Sequence, residues 1–143
     1  MNVGDPLPEF VVEAVDPEKM KIMAALLRDP NMIHLDPAET ARLGMGDRVV
    51  NQGPTNLGYV VAMLAAWAGG QDRVRSTVFR FRATVLAGDR VVAGGRITAI
   101  RDDGLTVCDV WLDVVGGGRP RSIRAVSGTA TVLPRARKTV PEH

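Results

Sequence analysis

Asp29, Asn31 and His34 fall within six positions of one another, in the run Arg28-Asp29-Pro30-Asn31-Met32-Ile33-His34-Leu35-Asp36. His34 is the only histidine inside the chain, the other being the terminal His143. A carboxylate and an imidazole held close together can take up and return protons near neutral pH, which is the requirement of general acid–base chemistry. A buried turn over this run would gather the acid, the amide and the histidine. The spacing alone recurs by chance in many proteins, so each residue also has a purely structural reading. Asp29 could accept local backbone N–H bonds in the turn, Asn31 could serve a left-handed turn conformation, and His34 could bond a backbone carbonyl.

The flanking sequence says how such a turn would be delivered. Asp16 and Pro17 form a helix start, with Asp at the N-cap and Pro at the first helical position, and Met20, Met23, Ala24 and Leu27 recur at helical spacing. That helix should end near Arg28, because Pro30 disfavours helical geometry at Asp29. Asp36-Pro37-Ala38-Glu39 repeats the start signal, which assigns Asp36 to capping, and a brief helix through Thr40, Ala41 and Leu43 would stop at Gly44 or Gly46. After Val49, Val50 and the polar run Asn51 to Asn56 comes an apolar stretch from Leu57 through Ala68, closed by Gly69-Gly70. A helix apolar nearly all round is buried. Its start presents unpaired backbone N–H groups and positive dipole to whatever lies beyond it.

From Arg73 the hydrophobic period becomes two. Phe79, Phe81, Ala83 and Val85 alternate with Arg80, Arg82 and Thr84, predicting a half-buried strand that turns at Gly88-Asp89. A second strand follows over Arg90 to Ile100, Asp102-Asp103-Gly104 marks a hairpin, and Leu105 to Val115 makes a third. Gly116-Gly117-Gly118 breaks it, Ser122 to Leu133 form the last strand, and the tail from Pro134 to His143 should be frayed. The first fifteen residues read as an irregular lead-in with a short edge strand at Phe10-Val11-Val12. One buried helix over Pro54 to Ala68 followed by four antiparallel strands in a meander predicts an α+β fold of the hot-dog kind, the sheet wrapped around the helix.

The 143 residues, 45% of them hydrophobic, suit one globular domain spanning 1–143, and the mean hydropathy is +0.03. No run approaches the roughly 18 apolar residues of a membrane span, and no basic segment precedes an apolar one at the N-terminus, so neither a membrane partner nor a signal peptide is expected and the location expected is the cytoplasm. The single cysteine, Cys108, has no partner for an internal disulfide, makes a zinc site improbable, and reads as a small core residue. Fifteen of the eighteen basic residues are arginine, among them Arg73, Arg75, Arg80 and Arg82. They come without the aromatic platform that nucleic-acid binding would require. A solvated strand face is one reading of them; a surface for the phosphates of a coenzyme or carrier arm is the other.

The order of these motifs resembles the MaoC-like dehydratases, also called (R)-specific enoyl-CoA hydratases, a hot-dog family acting on acyl thioesters. The resemblance rests on Asp29-x-Asn31-x-x-His34-x-Asp36, on an Ala-x-x-Gly element matched by Ala41 to Gly44, and on Gly53 opening the central helix. It covers Gly4 to Trp67 by motif and the strands by pattern. Three positions depart from it: Arg28 where a glycine usually precedes the acid, Met32 where a proline usually follows the amide, and Gln52 where a histidine often precedes the helix glycine.

Carried over, the resemblance implies that Asp29 and His34 hold one water and shuttle its protons, that Asn31 orients the pair, and that the Gly53 N–H faces the thioester oxygen. Gly53 read by itself could equally be a packing requirement between helix and sheet. The resemblance also implies an acyl chain lying between the central helix and the sheet. There Ala62, Ala65 and Ala66 would leave room for groups bulkier than crotonyl, branched or polycyclic, of the sort met in fatty acid or steroid degradation; tight packing of the sheet on the helix is the other use of these alanines. Arg80 and Arg82 would meet phosphates. Coenzyme A enters as part of the substrate, with no further cofactor and no metal. The partners expected are an acyl-CoA or acyl-carrier-protein thioester and a second hot-dog subunit, in a homodimer or heteromer. Two alternatives are a hot-dog thioesterase, which usually carries a carboxylate on or beside the central helix where Leu57 to Ala68 has none, and a non-catalytic accessory subunit.

Overall fold

The structure, a computed structural model, describes residues 1–117 and 121–135. In chain order the elements are β1 (Phe10–Val12), α1 (Pro17–Leu27), a 3₁₀ turn (Met32–His34), α2 (Pro37–Arg42), α3 (Gly53–Ala68), a second 3₁₀ turn (Gln71–Arg73), β2 (Val74–Phe81), β3 (Arg90–Ile100), β4 (Thr106–Val115) and β5 (Ile123–Val132). The strands form one antiparallel sheet in the order β1-β3-β4-β5-β2. This is the α+β hot-dog arrangement that the pattern predicts.

The sheet is held on α3 by period-two alternation. Thr106, Cys108, Val110, Leu112 and Val114 of β4 all turn inward and are buried, and so do Val91, Ala93 and Ile97 of β3 and Ala130 and Val132 of β5. Against them α3 presents Val60, Met63, Leu64 and Ala68. Burying a side chain of the Val, Leu or Met kind contributes about 1.5–3 kcal/mol, so this seam is the main stabilising contact of the fold.

Two features differ from the sequence expectation. The four long strands are not a simple meander: only β3, β4 and β5 follow one another as neighbours, while β2 lies at the far edge, paired with β5. The regular ladder expected through Val85 stops at Phe81: Arg82 and Ala83 N–H still bond Ala125 O of β5, and from residue 84 the chain leaves the sheet to pair elsewhere. Asn51 N–H donates to Val85 O, Val50 bridges Leu86, and Ala87 N–H donates to Val49 O. The Asp89 carboxylate closes this loop by accepting from Leu86 N–H and from Arg48. The second difference concerns α3, which is not buried all round. Ala66 is exposed and Ala62 and Ala65 are partly so, on the side turned away from the core residues. Gly118 of the triple glycine and residues 136–143 of the tail expected to fray lie outside the described residues.

Candidate active site

α1 ends by a specific device. Arg28 has φ 51°, in the left-handed region, and Asp29 N–H reaches back to Ala24 O at 3.0 Å while Arg28 N–H reaches Ala25 O at 3.3 Å. This pair of bonds is the Schellman arrangement, whose left-handed residue is ordinarily glycine. The turn leaves the Asp29 carboxylate facing the residues that follow it. Its Oδ1 accepts from Asn31 N–H at 3.0 Å, and its Oδ2 lies 3.3 Å from His34 Nε2.

His34 is fixed from the other side. Asn31 Oδ1 caps the 3₁₀ turn by accepting from Ile33 N–H at 3.2 Å, and that turn carries the imidazole inward until it is 8% exposed. Its Nδ1 lies 2.6 Å from Val50 O. A carbonyl only accepts, so the Nδ1 proton is set there and Nε2 of the neutral ring is left as a lone pair facing Asp29. A carboxylate oxygen and an unprotonated ring nitrogen at this distance both need a proton, which a third group, or protonation of one of them, must supply. The side chain of Asp29 is 32% exposed, so this gap opens to the surface. The structure thus brings Asp29 and His34 together while meeting the structural role of each. Asn31 touches Asp29 through its backbone N–H and spends its side-chain oxygen on the cap.

Gly53 is the first residue of α3, with Gln52 at the N-cap and Pro54 next. Thr55 and Asn56 N–H both bond Gln52 O, at 3.1 Å each, and Pro54 has no donor. The Gly53 N–H is therefore the first-turn donor left without an acceptor among the described residues. A side chain at Gly53 would meet the Phe81 ring at 3.3 Å, so the glycine also allows the close approach of helix and β2. Arg80 and Arg82 flank Phe81 and are exposed; both line an open groove of about 380 Å³ on the outer face of the sheet, together with Trp111, Arg124 and Ser127. Arg82 Nε donates to Ser127 Oγ at 2.6 Å, and Arg124 lies over the Trp111 ring at 4.6 Å while bonding Asp113 at 3.0 Å. Ala62, Ala65 and Ala66 lie on the outward side of α3, opposite Val60, Met63, Leu64 and Ala68, and so not in the space between helix and sheet expected for them.

Several residues of this region were not legible as functional. Asn51 Nδ2 donates to Asn56 Oδ1 at 2.8 Å and meets Tyr59 Oη at 3.3 Å, forming a buried polar network at the base of α3. Burial pushes the Tyr59 hydroxyl above its ordinary pKa, the bond from Asn51 partly opposing it. Gln52 is 1% exposed and donates from Nε2 to Met20 O of α1 at 2.8 Å. The one signal in the sequence was the presence of three amides, Asn51, Gln52 and Asn56, around the start of an otherwise apolar helix. Among the described residues no three His, Cys, Asp or Glu side chains gather as metal ligands, and no helix is long and apolar enough to cross a membrane.

With the fold and the pair in place, the family follows: residues 4–108 match the MaoC like domain, and the chain belongs to that dehydratase family. No curated protein matches it. Its structure is similar to the (R)-hydratase from A. caviae involved in PHA biosynthesis, at TM-score 0.80 and 25% identity over 94% of this chain and 98% of that one. It is similar also to a chain of the ChsH1-ChsH2 complex from Mycobacterium tuberculosis, at TM-score 0.75 and 25% identity over 94% and 99%. The R-hydratase PhaJ1 from Pseudomonas aeruginosa shares the fold at TM-score 0.79, with 19% identity over 95% of this chain and 84% of that one.

Proposed function

We propose that this protein is a hydro-lyase that adds water reversibly and syn to a trans-2-enoyl thioester of coenzyme A or acyl carrier protein. The observation that carries the reading is the Asp29 Oδ2 to His34 Nε2 approach of 3.3 Å, with the other heteroatom of each side chain already fixed. One water can donate to both atoms at once, which turns its oxygen lone pair outward to the β-carbon. As the C–O bond forms, the water gives one proton to the pair and the electrons of the double bond move onto the thioester oxygen. The Gly53 N–H at the head of α3 is the donor for that developing enolate. The pair then returns a proton to the α-carbon from the same side, closing the balance with no cofactor beyond the coenzyme of the substrate. Dehydration is the same path in reverse.

Asn31 holds the pair by its backbone bond to Asp29 and by the cap that turns His34 inward. Arg80 and Arg82 would meet the phosphates of the carrier on the far side of Phe81 from Gly53, and a bulky acyl group would run along the small outward face of α3 formed by Ala62, Ala65 and Ala66. A second hot-dog subunit, identical or related, would cover that face; one structural neighbour is a chain of the ChsH1-ChsH2 complex. The compartment we propose for it is the cytoplasm. A thioesterase reading is less favoured, because α3 carries no carboxylate from Gly53 to Ala68. The test is direct: pure protein mixed with crotonyl-CoA and longer enoyl-CoAs, following loss of the conjugated thioester absorbance. Failure to hydrate any chain length refutes the reading.

A further inference from the structure

Three residues at the mouth of α3 each hold a different part of the site. Val50 O accepts from His34 Nδ1, Gln52 Nε2 reaches Met20 O in the body of α1, and Gly53 offers an N–H with no acceptor among the described residues. Of these only the Gln52 bond ties down α1, the helix that delivers Asp29. That helix is lightly anchored otherwise. Its buried side chains are Met20 and Ala24, whereas Ile22, Leu26 and Leu27 are 62%, 73% and 44% exposed. A shift of α1 relative to the head of α3 would move the Asp29 carboxylate away from the His34 ring, whose Nδ1 is bonded to Val50 and not to α1.

The amide of Gln52 is also costly where it stands. It is 1% exposed, and its Oε1 has no hydrogen-bond partner among the described residues, nor has the buried Thr55 Oγ1 one turn on. A methionine would fill the same volume without an unmet oxygen. What methionine cannot supply is the donor to Met20 O. We propose that Gln52 is a positioning residue: through that bond it sets α1, and with it the Asp29 carboxylate, against His34 and the Gly53 N–H. The inference rests on the hydratase reading above. It also accounts for how the chain does without the histidine often found at this position, since either side chain can donate a buried N–H.

The test compares wild type, Gln52→Met and Gln52→His in hydration of crotonyl-CoA, with hydrogen exchange of the α1 amides and thermal melting on the same samples. The expected result for Q52M is a kcat lowered about 10- to 100-fold with KM within about twofold of wild type, since misplacement costs the transition state more than binding. Exchange over residues 17–28 should quicken, and Q52H should recover most of the lost kcat. Wild-type kcat in Q52M overturns the proposal, and so does equal impairment of Q52M and Q52H, which indicates packing alone. Exchange needs no substrate. If wild type hydrates nothing, the functional reading fails on its own, and unchanged protection of α1 in Q52M then separately overturns the tether.

Discussion

Asp29→Asn is the sharpest perturbation of the pair, because it removes a charge while keeping every local bond that shapes the turn. The new amide oxygen can still accept from Asn31 N–H, now 3.0 Å from Asp29 Oδ1. The new NH₂ group can donate to the His34 Nε2 lone pair, 3.3 Å from the present Oδ2. Fold stability should therefore change by less than about 1 kcal/mol, the worth of one ordinary hydrogen bond. The chemistry should not survive. An amide cannot take a proton from water, and the lone pair that helped to polarise the water is now occupied. Loss of a general acid–base group costs roughly 100- to 10,000-fold in rate, or about 2.7–5.5 kcal/mol of barrier. Steady-state hydration of crotonyl-CoA, with a melting curve and circular dichroism as controls, measures both. A variant that melts like wild type and keeps more than about a tenth of its turnover would show that Asp29 serves the turn and not the reaction.

The other predictions concern the frame around the pair. Arg28→Gly should raise stability by about 0.5–1 kcal/mol, read from denaturant midpoints, because glycine enters the left-handed conformation without the strain an arginine bears at φ 51°. Cys108 is fully buried and its thiol is pushed up to about 11, mainly by desolvation and then by Asp109, so iodoacetamide at pH 8 should label it only after unfolding. Since the unfolded thiol ionises first, near 9.0, stability should fall between that pH and about 11 by up to about 1.4 kcal/mol per unit, and a Cys108→Ala chain should lack that part of the fall. β2 is an eight-residue edge strand whose Val78 and Phe81 are 69% and 58% exposed, so a dimer that continues the sheet should form through it. Light scattering at micromolar concentration checks this, and Val78→Lys should shift the mass toward the monomer.

How far the sequence could be read depended on whether a signal was local. The two helix starts at Asp16-Pro17 and Asp36-Pro37 were legible because capping is written in adjacent residues, and both Asp side chains accept the N–H two residues on. The hairpin at Asp102-Asp103-Gly104 was legible for the same reason, and it joins β3 to β4 with Arg101 N–H bonded to Leu105 O. The position of β2 was not. Period two shows which residues face the core, but nothing in Val74 to Phe81 says whether β5 or β3 is the neighbour. That choice is made by residues 84–89, of which Val85 to Ala87 pair with Val49 to Asn51 and so carry the chain away before β3 begins. The same pairing fixes Val50 O, and an acceptor on the backbone has no residue type to announce it.

Arg28 shows how a departure from a family pattern can be explained physically. A glycine before the acid reads in sequence as part of a chemical motif. The bonds from Arg28 and Asp29 back to Ala25 and Ala24 show that the position serves the helix end, and only conformation is asked of it. An arginine there costs of order 1 kcal/mol in the left-handed region and leaves the carboxylate where a glycine would. Gln52 presents the opposite case. Its position demands a particular donor in a buried place, so its replacement should be felt in turnover rather than in the melting temperature. The two residues therefore separate shape from chemistry within one short site: exchange at 28 should move stability at constant kcat, and exchange at 52 should move kcat at constant KM. If Arg28→Gly instead lowered kcat tenfold while the chain remained folded, the left-handed turn would be tuning the Asp29 carboxylate itself, and the division drawn between the two positions would fall.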